Sequence, residues 1–194
     1  MTSHDENGNP VFKIVIYGPT KTGKTEFLRW ICNNTNFVEI PMQSIEDKVT
    51  GSTLFYDRVV VKLANSRFHV YGTPGAKNHY ITRRSLLKET DAIVFFWDSD
   101  PTREEENIAI LGELTTFLGE RITSKNPSML FSTMLVKRTN LSAQTRADHV
   151  RAILKKQGFL STAALDSIQE ISINEGENLE MGFTKILQDV LIKY

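Results

Sequence analysis

Apolar and polar positions follow two rhythms along this chain, one of period two and one near 3.6, and the two alternate from end to end. Val11-Phe12-Lys13-Ile14-Val15-Ile16-Tyr17 is rich in β-branched residues, stops at Gly18 and predicts a strand. After a glycine-bearing turn, Phe27, Leu28 and Ile31 recur at helical spacing. Residues 57–63 and 67–71 predict two strands joined by Ala64, Asn65 and Ser66. Ala92-Ile93-Val94-Phe95-Phe96-Trp97 is apolar throughout, the pattern of a strand covered on both faces. The next helix is expected to start on a capping box of Thr102 and Glu105, with Glu104 to Glu106 at its positive end. Ile110, Leu111, Leu114, Phe117 and Leu118 form its apolar stripe, and Gly119 ends it. A strand over 129–136 precedes a helix with Val150, Ile153 and Leu154 inward, closed by Gly158. A strand over 168–173 leads to a last helix with Phe183, Ile186, Leu187, Val190 and Leu191 on one face.

This order predicts an α/β fold with a mostly parallel, six-stranded sheet and helices on both faces. One domain is expected over residues 11–194, with residues 1–10 as a disordered tail, and no repeat or linker divides it. At 194 residues the chain suits a single core. In such sheets ligands bind beyond the carboxyl ends of the strands.

Composition changes the picture only by exclusion. Lysine plus arginine equals aspartate plus glutamate at 23 each, which argues against a domain that tracks nucleic-acid phosphates. The one cysteine, Cys32, fits a reducing compartment. No apolar run approaches the roughly 20 residues a spanning helix needs. Residue 2 is Thr, and the chain ends Leu191-Ile192-Lys193-Tyr194, so neither myristoylation nor prenylation is expected. The expectation is a cytoplasmic protein without a membrane anchor of its own. The four histidines show no metal-ligand spacing, and nothing resembles a Ser/His/Asp triad.

The chemistry is concentrated at the end of the first strand. Gly18-Pro19-Thr20-Lys21-Thr22-Gly23-Lys24-Thr25 fills every fixed position of the Walker A pattern between an apolar strand and an amphipathic helix. Glycine lets such a loop curl so that backbone N–H groups point at phosphate oxygens, and the following helix presents its positive end. Lys24 would set a cation against the outer phosphates, and the Thr25 hydroxyl would ligate Mg²⁺. Gly18, Thr20, Lys21, Thr22, Gly23, Lys24, Thr25 and Glu26 are the expected phosphate-side residues.

Around this motif the chain resembles the Ras-like small GTPases, and more closely the bacterial polarity and gliding GTPase family, MglA. Ser52-Thr53-Leu54-Phe55-Tyr56-Asp57 and Phe68-His69-Val70-Tyr71-Gly72-Thr73-Pro74-Gly75 carry the resemblance, which extends into Arg83-Arg84-Ser85-Leu86-Leu87-Lys88 and Asp91 to Phe96. It implies a GTP/GDP-binding switch with Mg²⁺. Thr53 would be the switch I threonine that closes on the metal and the γ-phosphate, and Gly75 the switch II glycine whose N–H senses that phosphate. Lys137 and Thr139, with Ser172, Ile173 and Asn174, would stand in the base-binding loops. Residues 35–53 and 72–84 would change shape with the nucleotide. The resemblance also implies a small dimeric roadblock-type regulator and downstream effectors.

Four departures from the family pattern bear on activity. Gly72 stands where an Asp ordinarily holds Mg²⁺ through water. Ala76 replaces the glutamine that orients the attacking water. Ser52 stands where an intrinsic arginine is expected, a group worth about 10³ to 10⁵ in rate. Arg83 or Arg84 could supply that charge after rearrangement, although helix-surface arginines ordinarily face solvent or partners. In the base loop, Val136-Lys137-Arg138-Thr139-Asn140 lacks the carboxylate that reads guanine. Unassisted hydrolysis is therefore expected to be very slow or absent. A non-catalytic interaction scaffold stays open as an alternative, and a P-loop kinase is disfavoured because no inserted lid is evident.

Overall fold

The computed structural model describes residues 3–46, 53–76, 79–139 and 141–194. Eight strands form one sheet: β1 (Ser3–His4), β2 (Pro10–Tyr17), β3 (Val38–Glu46), β4 (Thr53–Leu63), β5 (Ser66–Gly72), β6 (Ala92–Asp98), β7 (Leu130–Val136) and β8 (Ile168–Ile171). Their order is β3-β4-β5-β2-β6-β7-β8, with β1 paired to the start of β2. The ladders β2–β5, β2–β6, β6–β7 and β7–β8 are parallel, while β3–β4 and β4–β5 are antiparallel. The fold class is therefore as expected, but the sheet has eight strands where six were expected.

Both extra strands have a local reason. In β3, Val38, Ile40 and Met42 alternate with Glu39, Pro41 and Gln43, but a proline inside the run weakens it as a strand signal, and that proline is tolerated because the strand lies at the sheet edge. Its pairing with β4 shifts register at three places. At the N-terminus, the residues expected as a tail form a hairpin. Asp5 accepts hydrogen bonds from the N–H groups of Asn7 and Asn9, both at 2.9 Å, and Ser3 pairs with Val11.

The helices are α1 (Lys24–Asn34), α2 (Tyr80–Leu86), α3 (Glu104–Leu118), α4 (Glu120–Thr123), α5 (Ala147–Lys156), α6 (Thr162–Asp166) and α7 (Leu179–Lys193). Side-chain alternation along the central strands divides the core between the two faces. Ile14 and Ile16 of β2 and Val94 and Phe96 of β6 pack with Phe27 and Leu28 of α1 and Phe183, Ile186 and Leu187 of α7. Val15, Tyr17, Ile93, Phe95 and Trp97 point the other way, against Leu111 and Leu114 of α3 and Val150 and Leu154 of α5. Every residue of β6 is buried, as its unbroken apolar run predicts.

The start of α3 differs from the expected capping box. Pro101–Arg103 forms a 3-10 turn, and Asp100 caps it by accepting from the Thr102 N–H at 2.9 Å. Asp100 wins because proline at the next position has no N–H to satisfy and its fixed φ suits the first turn. Among the described residues, no helix is long and apolar enough to cross a membrane.

Candidate functional site

The loop between β2 and α1 lies at the carboxyl ends of β2, β6 and β7, where ligands bind in sheets of this kind. Lys24 opens α1 and is buried. Its ammonium donates to the carbonyls of Gly18 at 2.9 Å and Pro19 at 2.5 Å. Burial pushes its pKa down to about 7, and the guanidinium groups of Arg83 and Arg103 push in the same direction. Phosphate oxygens beside it would favour the charged form and draw the pKa back up. Thr22 fastens the loop internally through its hydroxyl to the Pro19 carbonyl at 2.9 Å.

Thr25 sits one residue further along α1, and its hydroxyl donates to Asp57 Oδ2 at 2.6 Å. Asp57 lies in β4 with 1% exposure, and its other oxygen accepts from the Ser44 hydroxyl at 2.5 Å. Across the β4–β5 ladder Asp57 pairs in register with Gly72. A Cβ at position 72 would crowd Leu28 Cδ1 at 3.1 Å and make ordinary contact with Asp57 Oδ2 at 3.5 Å, so position 72 lies directly beside the Asp57 carboxylate. Asp57 is the functional candidate that the sequence reading missed. A charged residue entering an apolar strand that the sheet buries was the available signal.

Gly75 closes the site from the β5 side. A Cβ there would lie 2.4 Å from the Cα and 2.7 Å from the backbone nitrogen of Thr20, so the two backbones touch. The expected switch glycine and the phosphate loop are thus brought together. Thr53 is the first residue of β4 and pairs with Glu46, while its side chain, like Ser52 and Asn140, lies outside the described residues.

Beside the loop is a cavity of about 250 Å³ lined by Lys21, Thr22, Gly23, Glu26, Lys137, Ile173 and Asn174 together with Val136 and Arg138. It gathers most of the residues expected on the phosphate and base sides. Within it, the Lys137 ammonium is drawn to Glu170 at 2.9 Å. Ser172 is fully buried, and its N–H and carbonyl are taken by Glu177 at 3.1 and 3.0 Å, while the Ile173 side chain lies against Gly23 of the phosphate loop. Thr139 is exposed and is not part of the cavity wall.

A family model described as 50S ribosome-binding GTPase matches residues 13–133, well over half of the chain. The chain belongs to this GTPase family. The matched segment holds the phosphate loop, Asp57 and Gly75, and it stops short of the base loop that begins at Val136. Among curated proteins, the mutual gliding-motility protein MglA of Myxococcus xanthus (strain DK1622) is 35% identical over 114 residues, 56% of this chain and 58% of that protein. Among solved structures, the Arl6 BBS3 small GTPase from Trypanosoma brucei with bound nucleotide analogue GppNp is similar with a TM-score of 0.66. That similarity has 20% identity and covers 95% of this chain and 99% of the other, and it shows the small-GTPase fold.

Against this GTPase frame, the two arginines weighed for catalysis have separate fates. Arg83 was expected at the helix surface, yet it is 1% exposed. Its Nε and Nη2 donate to the two oxygens of Glu113 on α3 at 2.7 and 2.8 Å, and its Nη1 donates to the Ala76 carbonyl at 2.6 Å. The buried Tyr17 hydroxyl donates to the same Glu113 carboxylate. Arg83 therefore ties the segment after Gly75 to α3, and its guanidinium is fully engaged there. Arg84 lies on the outside, 6.0 Å from the centre of the Phe117 ring. The Arg83 hydrogen bonds thus go to Glu113 and to the Ala76 carbonyl, beside the phosphate loop.

Proposed function

We propose that this chain is a GTP- and GDP-binding molecular switch of the MglA kind, with hydrolysis that is weak or depends on a partner. The meeting of Thr25 and Asp57 carries the reading. A hydroxyl and a carboxylate oxygen 2.6 Å apart, at the foot of a Walker A loop, form the hard-oxygen donor set that suits Mg²⁺. Such an ion takes few protein oxygens and fills its shell with water and phosphate. Thr25 and Asp57 would hold it, and by the family resemblance Thr53 would join them. The ion would supply neutralising charge to the phosphates. Lys24 and the N–H groups of the Thr20–Thr25 segment would bind the phosphates themselves, and Gly75 would sense the outermost one through its contact with Thr20. Residues 35–53 and 72–84 would order around it.

The base side supports guanine less strongly than the phosphate side supports a nucleotide. Lys137 is drawn towards Glu170, and position 139 offers a hydroxyl in place of a carboxylate. This observation favours a second reading, in which the nucleotide is a permanent ligand or is barely held and the surface around the switches serves assembly as a scaffold. By resemblance, a roadblock-type regulator and effectors would be the partners, in the cytoplasm. The deciding experiment releases any nucleotide from purified protein by denaturation, identifies it, and titrates GTP, GDP, ATP and ADP with Mg²⁺ into emptied protein. Guanine binding that is lost in Lys24→Ala supports the switch. Failure to bind any of the four overturns it and leaves the scaffold.

A further inference from the structure

Two consecutive carbonyls of the phosphate loop are held from outside by two arginines that share one buried carboxylate. Asp98, the last residue of β6, is fully buried. Its Oδ2 accepts from Arg103 Nη1 and from Arg138 Nη2, both at 2.5 Å, and its Oδ1 accepts from Arg138 Nε at 3.0 Å. Each guanidinium then reaches the loop: Arg103 Nη2 donates to the Thr20 carbonyl at 2.7 Å, and Arg138 Nη2 to the Lys21 carbonyl at 2.6 Å. Both arginines are held further. Arg103 also donates to Glu106, and the Arg138 backbone N–H donates to Gln144 at 3.0 Å.

The consequence follows from peptide geometry. In a planar trans peptide the C=O and the next N–H point in opposite directions. Turning the Thr20 carbonyl out to Arg103 therefore turns the Lys21 N–H inward, and turning the Lys21 carbonyl out to Arg138 does the same for the Thr22 N–H. Successive inward N–H groups are what an anion-binding nest requires. The arrangement also has work to do, because Lys21 has φ 58°, a left-handed conformation that is unfavourable for a non-glycine residue.

We propose that Arg103 and Arg138, joined through Asp98, are positioning residues that hold the Thr20–Lys21 and Lys21–Thr22 peptides in phosphate-binding form. The inference rests on the nucleotide-binding reading above. Arg138 belongs to the loop where the resemblance places base recognition, yet its guanidinium reaches the phosphate loop.

The test measures binding of GDP, ADP and base-free pyrophosphate, each with Mg²⁺, to the full chain and to its Arg103→Ala and Arg138→Ala variants, well below each melting temperature. The expected result is a loss of at least about tenfold for all three ligands by a common factor, as for hydrogen bonds made by charged donors. Arg138→Lys should fail to restore binding, because a single ammonium cannot span Asp98 and the Lys21 carbonyl as the planar fork does. This variant keeps a cation beside Asp98 and serves where the alanine variant does not fold. Loss of GDP and ADP binding with pyrophosphate unchanged would make Arg138 a base contact and overturn the inference. A lowered melting temperature with unchanged affinities would make the pair merely structural and overturn it as well. Wild-type protein that binds none of the three ligands sinks the nucleotide reading itself, and this inference with it.

Discussion

Asp57 and Gly72 are register partners across the β4–β5 ladder, and the carboxylate absent from position 72 stands directly opposite it on the neighbouring strand. The two are in contact, since a Cβ at 72 would lie 3.5 Å from the oxygen that already accepts from Thr25. Asp57→Ala withdraws an acceptor from both the Thr25 and Ser44 hydroxyls and should cost about 1–3 kcal/mol of stability. If Asp57 holds the metal, the variant should also lose the metal dependence of nucleotide release. Dissociation of a fluorescent GDP with and without a chelator reads this directly. Strong acceleration by the chelator is expected in the wild type and little in the variant. An equal response in both would remove Asp57 from the metal site.

Gly75→Ala tests the contact between switch and loop. The added methyl would lie 2.4 Å from the Cα of Thr20, and backbone on both sides leaves no flexible side chain to yield. The strain should cost about 1–3 kcal/mol, the range of an overpacked site. It should also separate the segment after Pro74 from the phosphate loop. The expected outcome is a lowered melting temperature together with a reduced preference for GTP over GDP. A variant with wild-type stability and preference would mean that the two backbones part readily.

The Arg83–Glu113 pair predicts a specific pH dependence. Burial works against ionisation of Glu113, but hydrogen bonds from Arg83 and Tyr17 outweigh it and hold the carboxyl below its usual range. A carboxyl depressed in the folded state contributes stability that is complete above its unfolded value of about 4.3 and is lost as pH falls through the lower folded value. Glu113→Gln should therefore destabilise the protein by roughly 3 kcal/mol at neutral pH, the lower end for breaking a buried pair. Glu113 keeps 17% exposure, whereas Arg83 has 1%. Urea unfolding of the two proteins should converge as the pH drops below about 4. A gap that stays constant with pH would show that packing, and not the ion pair, carries the effect.

Most of what the sequence made legible is local in the chain. The phosphate loop, the strand before it and the helix after it are contiguous, so the residues that set their conformation are neighbours. The apolar run of β6 and the stripes of α3, α5 and α7 are legible for the same reason. The missing pieces are long-range. Thr25 and Asp57 are 32 positions apart, Arg83 finds Glu113 across 30, and Arg138 finds the Lys21 carbonyl across 117. Arg83 has the sequence environment of a surface helix residue, and only the approach of α3 makes its burial tolerable. β3 escaped notice although Val38, Ile40 and Met42 alternate along it, because Pro41 interrupts the run and the ladder to β4 shifts register at three places.

Two substitutions separate the contributions missing from hydrolysis. Ala76 is half-buried just after Gly75, and its carbonyl is held by Arg83 at 2.6 Å, so the backbone there is fixed while the side chain is too short to orient water. Ala76→Gln adds an amide without disturbing that carbonyl contact, and it should raise single-turnover GTP hydrolysis with little change in GDP affinity. Ser52→Arg adds a guanidinium on the first switch, and an arginine acting on the transition state is worth about 10³ to 10⁵ in rate. The larger gain is therefore expected from Ser52→Arg, with the double variant fastest. If Ala76→Gln gives the larger gain, water orientation and not charge limits turnover. If neither variant hydrolyses GTP that it binds, the phosphate site is arranged for holding the nucleotide and the scaffold reading gains.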